Sequence, residues 1–449
     1  MTLKQHSVQY KNQNTCFEAE RTLHTLTVAE VEEEPPSRPC LAIDAEDEPP
    51  LKHLSGKERF FPDVPQGLWN DWKWQFRNRI TTIDQLAQFI PLTPAEQTEL
   101  RLVTMRYPIS ITPHYLSLID PEDPDDPVRK QAVPCIQEIS MGEIGREDPL
   151  EEERDSVVPG LVHRYPDRVL MVLTDICPML CRHCTRKREW RNGGWVRSMD
   201  EVEAMLAYIR RHKAVRDVIV SGGDPLTLSN HHLDTILGKI REIPHVEIIR
   251  IGTRFPVVLP QRIDDELCEM LAKHGPLWLN THFNNVREVT PESAAACDRL
   301  LRHGIPVNNQ TVLLRGVNDS VEEQLKLCHG LLRAKVRPYY LFQCDEVQGT
   351  EHLRTPIETG INIIKGMRGY TSGLAIPNFV IDLPQGGGKV PLQPNYIVSQ
   401  GEDEMVMRNY QGHFFRCHNP KGAAAEALPI ADSINFEGEA ARDAARVII

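Results

Sequence analysis

The sequence predicts an α/β protein: a partial (β/α)6 barrel with a helical amino-terminal region and a small α+β carboxyl-terminal extension. Three observations lead there. Six short apolar runs, at residues 169–174, 217–221, 247–252, 277–281, 306–313 and 338–342, are spaced widely enough for a helix between neighbours. The intervening stretches are amphipathic. Two of them open on helix-start signals, Ser198-Met-Asp-Glu201 and Thr290-Pro291-Glu292. Strands that alternate with helices pack as a parallel sheet, since parallel neighbours need a long crossover.

Taken in order, residues 1–55 read as an acidic, flexible arm. The run from Val31 to Pro50 is rich in proline and acid and lacks aromatic residues. Residues 56–159 read as helical. Thr93-Pro94-Ala95-Glu96 is a capping box with proline at the first helical position, opening a helix through Leu102, and Pro108 and Pro113 then break the chain. The barrel core is expected over 160–345. A further region, 346–410, starts a helix at Thr355-Pro356-Ile357-Glu358 and a strand at 378–382. The alanine-rich tail, 411–449, carries no readable chemistry.

Composition narrows the class. The 449 residues are 41% hydrophobic and a quarter charged, as in an ordinary soluble protein. A net charge of −12 argues against nucleic-acid binding. No apolar run is long enough to cross a bilayer, and the first residues lack a secretory core, so a cytoplasmic protein without membrane attachment is expected.

The chemistry concentrates in Cys177-Pro-Met-Leu-Cys181-Arg-His-Cys184. Three thiolates can hold three irons of a cubane cluster and leave the fourth iron open to a substrate. Disulfides are disfavoured by the expected reducing compartment. Zinc would want a fourth ligand; His183 is near, but no second tight pair follows. One βα unit later comes Ser221-Gly222-Gly223-Asp224-Pro225, whose glycines let backbone approach a ligand closely. Farther on, Gly386-Gly387-Gly388-Lys389 reads as a bare, mobile loop presenting one amine. Alone it would be a solvent-exposed turn; a lysine so presented can also tether pyridoxal phosphate.

The cysteine spacing is similar to that of radical S-adenosylmethionine (SAM) enzymes. Together with Arg164-Tyr-Pro-Asp-Arg168, Thr281-His282-Phe283-Asn284, Ile119-Asp-Pro-Glu-Asp-Pro124, residues 69–92 and the stretch from Asp382 to Tyr396, it resembles the lysine 2,3-aminomutase family over roughly residues 60 to 410. The resemblance implies a radical SAM barrel and three cofactors: a [4Fe-4S] cluster, SAM and pyridoxal 5′-phosphate. It implies that Cys177, Cys181 and Cys184 bind the cluster, and that Ser221, Gly222, Gly223, Asp224, His282 and Gln310 contact SAM. Lys389 would hold pyridoxal phosphate as an aldimine, with Arg164 and Arg168 near it, though either arginine could instead be a structural ion-pair residue. Arg186 would grip a substrate α-carboxylate, and Asp345 and Asp382 a cationic side-chain tip.

The implied reaction converts L-lysine to β-lysine through a 5′-deoxyadenosyl radical. The implied partners are a free amino acid with a cationic side chain and an electron donor such as flavodoxin or ferredoxin, in a homo-oligomer. Arginine fits two carboxylates as well as lysine does, and a protein-modification role or a non-catalytic iron–sulfur protein are the other readings. Two departures stand out. Cys417 is alone where well-known relatives carry a cysteine-rich, zinc-binding segment, so a structural zinc is not expected. Phe342 stands where an aromatic hydroxyl is common.

Overall fold

A computed structural model describes residues 56–420 apart from Asn192. The acidic arm and the tail from residue 421 onward lie outside the described residues.

Ten strands form one sheet in chain order: β1 (Ser156–Val158), β2 (Leu161–Tyr165), β3 (Arg168–Val172), β4 (Asp217–Ser221), β5 (Ile248–Gly252), β6 (Leu277–Thr281), β7 (Val307–Leu313), β8 (Arg337–Gln343), β9 (Asn378–Leu383) and β10 (Gly388–Pro391). Neighbours from β3 to β9 are parallel. The parallel set therefore has one strand more than the six expected, because β9 joins β8. Antiparallel hairpins finish both ends, β1–β2 against β3 and β10 against β9.

Strand alternation sets which side chains face inward. Val218 and Val220 on β4, Ile249 and Ile251 on β5, and Leu277 and Leu279 on β6 point into the core under the helices. Their alternates, Asp217, Ile219 and Ser221, Ile248, Arg250 and Gly252, and Trp278 and Asn280, line a single cavity. Residues from β2 to β10 share that cavity, so the sheet curls around it. The ladder does not close; β1 and β10 remain its edges. Across that side the Lys389 backbone N–H donates to the Tyr165 hydroxyl at 2.9 Å, joining β10 to β2.

The outer helices bury one stripe each. In Met199–Arg211 the stripe is Val202, Met205, Leu206 and Ile209, at helical spacing. Each such side chain contributes about 1.5–3 kcal/mol by leaving water. Ser198 accepts from Glu201 N–H while the Glu201 carboxylate returns to Ser198 N–H, completing the anticipated capping box. The Thr93 capping box also forms, and its helix, Pro94–Arg106, runs a turn beyond Leu102.

Four expectations need correction. The region 56–159 is not helical throughout: β1 ends it, and the Pro159-Gly160 turn leads to β2. Thr355 caps nothing; helix Ile357–Met367 starts from Pro356, and the Thr355 hydroxyl is buried without a hydrogen-bond partner. Lys389 sits on strand β10 rather than a mobile loop. The glycines make the tight turn before it, with Gly386 and Gly388 at φ 74° and 82°, where a side chain would be strained. Finally, structure crosses the expected boundary at residue 410: β11 (Ile397–Gln400) and β12 (Glu404–Arg408) before it pair with β13 (Phe414–His418), inside the expected tail, in a separate antiparallel sheet, with Cys417 exposed on β13.

Candidate active site

The cavity inside the curled sheet has a volume of about 700 Å³, ample for small organic ligands. Every residue that the sequence assigns to a ligand lines it: the three cysteines, Ser221 to Asp224, His282, Gln310, Arg164, Arg168, Arg186, Asp345, Asp382 and Lys389.

The cysteine loop leaves the carboxyl end of β3, where barrel folds place reactive groups. The amino-terminal region clamps it. Leu180 N–H donates to Ser110 O at 3.0 Å, Arg182 N–H to Gln131 O at 2.9 Å, and Arg79 Nη1 to Cys177 O at 2.8 Å. Beneath it lies a buried charge cluster. Glu138 accepts from Arg182 Nε and Nη2 at 2.9 and 2.6 Å and from Lys187 Nζ at 2.7 Å. Arg182 also donates to the carbonyls of Tyr107 and Pro108, and Lys187 to that of Gly349.

Burial raises the proton affinity of Cys177 and Cys184. The Cys184 thiol is pushed up to about 11 by burial and by neighbouring Cys181. Burial, Asp224 and the other two sulfurs raise Cys177 well above the ordinary range. A polycationic partner binds such sulfurs as thiolates, displacing their protons. Two donors already face the sulfurs: Arg254 Nη1 at 2.8 Å from Cys181 Sγ, and Arg186 N–H at 3.4 Å from Cys184 Sγ. The donor set fits a three-thiolate iron–sulfur cluster.

Gly222 and Gly223 press against the start of that loop. Gly222 has φ 151°, and a Cβ there would strike the Thr174 carbonyl; one on Gly223 would strike Asp175 and Ile176. Asp224 braces the turn, accepting from Leu226 N–H, Thr253 Oγ1 and Arg254 N–H at 3.1, 2.7 and 2.7 Å. Burial pushes its carboxyl up to about 7. What this turn offers a ligand is therefore chiefly backbone. Burial and the Arg254 charge hold His282 down at about 4. The neutral ring donates from Nδ1 to Gln310 O at 2.8 Å, leaving Nε2 as an acceptor.

At the side seam, Lys389 Nζ lies 2.7 Å from both carboxylate oxygens of Asp382 and 5.0 Å from the Phe342 ring centre. Asp345 is nearby and half-buried. Burial first, then the Asp382 charge, push its carboxyl up to about 7. Arg164 is tied to Asp155 at 2.7 Å and to the Leu150 carbonyl. Arg168 is tied to Asp167 at 2.8 Å and stacks 3.9 Å over the Tyr165 ring. Both arginines thus carry structural ion pairs while facing the cavity. A reactive amine with cationic groups on one wall fits an aldehyde bearing a phosphate.

Arg186 is held by Glu152 through two bonds, 2.9 and 2.6 Å, and donates to Gly222 O at 3.0 Å. Burial would raise Glu152, but Arg186 and Arg188 outweigh it and hold it down at about 2. Sequence reasoning passed over Glu152, Glu138 and Arg254. For Arg254 a signal existed: it follows strand β5 at the reactive end of the barrel.

Comparison with known proteins places the chain among relatives. A model of the radical SAM superfamily matches residues 171–328, and one described as lysine-2,3-aminomutase matches residues 364–444. The L-lysine 2,3-aminomutase of Clostridium subterminale is 52% identical over 359 residues, 80% of this chain and 86% of that one. The protein of the same name from Fusobacterium nucleatum is 50% identical over 390 residues, 86% and 91% of the two chains. The glutamate 2,3-aminomutase of Clostridioides difficile is 43% identical over 344 residues, 77% and 81%.

Proposed function

The chain belongs to the lysine 2,3-aminomutase family of radical SAM isomerases, and from that premise we propose that it moves the α-amino group of L-lysine to the β-carbon. The observation that carries the choice of substrate is the pair Asp345 and Asp382, two carboxylates in one cavity with Arg186 and Lys389. An anionic side-chain tip would meet like charge there; an ammonium would not. The glutamate-acting relative is therefore the weaker guide.

The family's cofactors are a [4Fe-4S] cluster, SAM and pyridoxal phosphate. Together, when bound, they supply a hydrogen-abstracting carbon radical and a conjugated ring that spreads an unpaired electron. We assign the cluster to Cys177, Cys181 and Cys184, SAM to the Ser221–Asp224 turn with His282 and Gln310, and pyridoxal phosphate to Lys389 with Arg164 and Arg168.

The protein's own groups do the rest. Arg186 takes the substrate carboxylate when Glu152 yields one of its bonds. Asp345 and Asp382 receive the ammonium tip, Asp345 in its ionised form. Until the substrate tip arrives, ionised Asp382 holds the Lys389 ammonium, since both its oxygens face that atom. The walls of the curled sheet limit access of oxygen and of stray hydrogen donors to a carbon radical. One electron per initiation comes from an external low-potential donor of the flavodoxin or ferredoxin type.

Anaerobic reconstitution with lysine, arginine, ornithine and glutamate, read for β-amino products by mass spectrometry, tests the reading. β-Lysine as the main product is expected. β-Arginine as the main product would replace the substrate, and β-glutamate would remove the role given to the two acids.

A further inference from the structure

Arg254 is buried at the carboxyl end of β5, with its guanidinium fully engaged. Nη1 donates to Cys181 Sγ at 2.8 Å, Nε to His282 O at 3.0 Å, and Nη2 to Gln131 Oε1 and Glu288 Oε1 at 2.6 and 2.8 Å. Its backbone N–H donates to Asp224 at 2.7 Å. One residue thus joins the central cysteine of the loop, the glycine-rich turn and the His282 strand. Among the described residues, Cys181 is the one loop sulfur that accepts a hydrogen bond from a side-chain cation.

The acid beside Arg254 offsets its charge at the sulfur only in part. Glu288 accepts from Tyr115 Oη at 2.6 Å and from the N–H groups of Asn284 and Asn285 at 2.5 and 2.9 Å. Those donors share the carboxylate, which meets the guanidinium at Nη2, while Nη1 faces Cys181. Arginine keeps its proton under all ordinary conditions, so its charge is fixed.

We propose that Arg254 is a positioning residue that fixes Cys181 and, through its charge and its hydrogen bond to that sulfur, makes the cluster easier to reduce. Reduction moves one electron from the external donor to the cluster and adds one negative charge to a set of thiolate-bound irons. A fixed cation bonded to a ligand sulfur stabilises the more negative form, and such bonds are among the levers that set cluster potentials. The positive charge also lies in a buried setting, where screening by solvent is weak.

This inference rests on the assignment of the three cysteines to a cluster. The test is an EPR-monitored redox titration of the reconstituted full chain without SAM, so that no turnover enters the reading. In Arg254→Gln the ratio of reduced to oxidised cluster at a fixed potential should fall about tenfold, equivalent to 59 mV for a one-electron couple. Arg254→Lys, which keeps the charge, should stay closer to the parent. Glu288→Gln, which leaves Arg254 in place and removes its counter-charge, should shift the ratio the other way.

An Arg254→Gln cluster with the parent's potential would overturn the proposal. Should that variant hold no iron, an unmoved potential in Glu288→Gln would overturn it instead. Parent protein that assembles no cluster would sink the underlying assignment, which is a separate result.

Discussion

Lys389 and Asp382 face each other across the β9–β10 ladder, in register, with the amine centred on both carboxylate oxygens at 2.7 Å. The acid's side chain is 6% exposed and the lysine's 35%, so the pair sits at the cavity wall with the acid inside. Asp382 therefore serves the amine before it serves a substrate. Asp382→Asn removes a charge-assisted bond of about 1.5–3 kcal/mol from the substrate tip. KM for lysine should rise roughly 10- to 100-fold with iron content unchanged. An unaltered KM would place the ammonium elsewhere.

The same pair gives Lys389 a spectroscopic test. Pyridoxal phosphate bound to this amine should give a visible absorbance band, bleached by borohydride. Lys389→Ala should lack the band and all aminomutase activity, while SAM cleavage by dithionite-reduced protein persists. Retention of the band would move the tether to another amine.

Asp345 makes the reaction sensitive to pH. Its carboxyl is raised to about 7 by burial and by Asp382, against an ordinary value near 4. The folded state thus favours the protonated acid. That contribution to stability is full below about pH 4 and is lost as pH rises through about 7. A cationic substrate prefers the ionised acid, so kcat/KM for lysine should climb with pH through about 7. Asp345→Asn should flatten that limb and melt at higher temperature than the parent near pH 8. A parent profile already flat from about pH 6 to 8 would contradict the assignment.

Glu138 anchors the loop from below. With Arg182 and Lys187 both bonded to it in the interior, Glu138→Ala leaves two buried cations without their acid. Breaking such a pair costs about 3–5 kcal/mol. The denaturant midpoint of the anaerobic protein should drop accordingly, and cluster occupancy with it. A midpoint within error of the parent would mean the two cations find other partners.

Gly222 tests the close approach of the turn to the loop. A methyl group there meets the Thr174 carbonyl in a backbone conformation that side chains rarely adopt. Gly222→Ala should cost about 1–3 kcal/mol and weaken SAM binding, as measured by equilibrium dialysis. Binding as tight as the parent's would show that the turn can shift without consequence.

How much of this was legible depends on what each segment buries. Strands β4 and β6 were readable to the residue because Val218, Val220, Leu277 and Leu279 repeat every second position toward one apolar core. Strand β2 hid because the part of Leu161–Tyr165 nearest the seam is His163, Arg164 and Tyr165, which carry polar contacts. Strands β11 and β13 hid because all their residues are exposed, leaving no apolar alternation to detect. The site's cysteines and Lys389 were legible as motifs with a chemical reason. Glu152 and Glu138 were not, since their meaning lies in cations 34 to 49 positions away along the chain.

A lysine on a free loop could swing aside to admit ligands. One on a strand whose amide is fastened to Tyr165, and whose other neighbour is β9, has its main chain held on both sides. Exchange of one partner for another at this amine is then left to rotation of the side chain beyond Cα, with the backbone staying where it is.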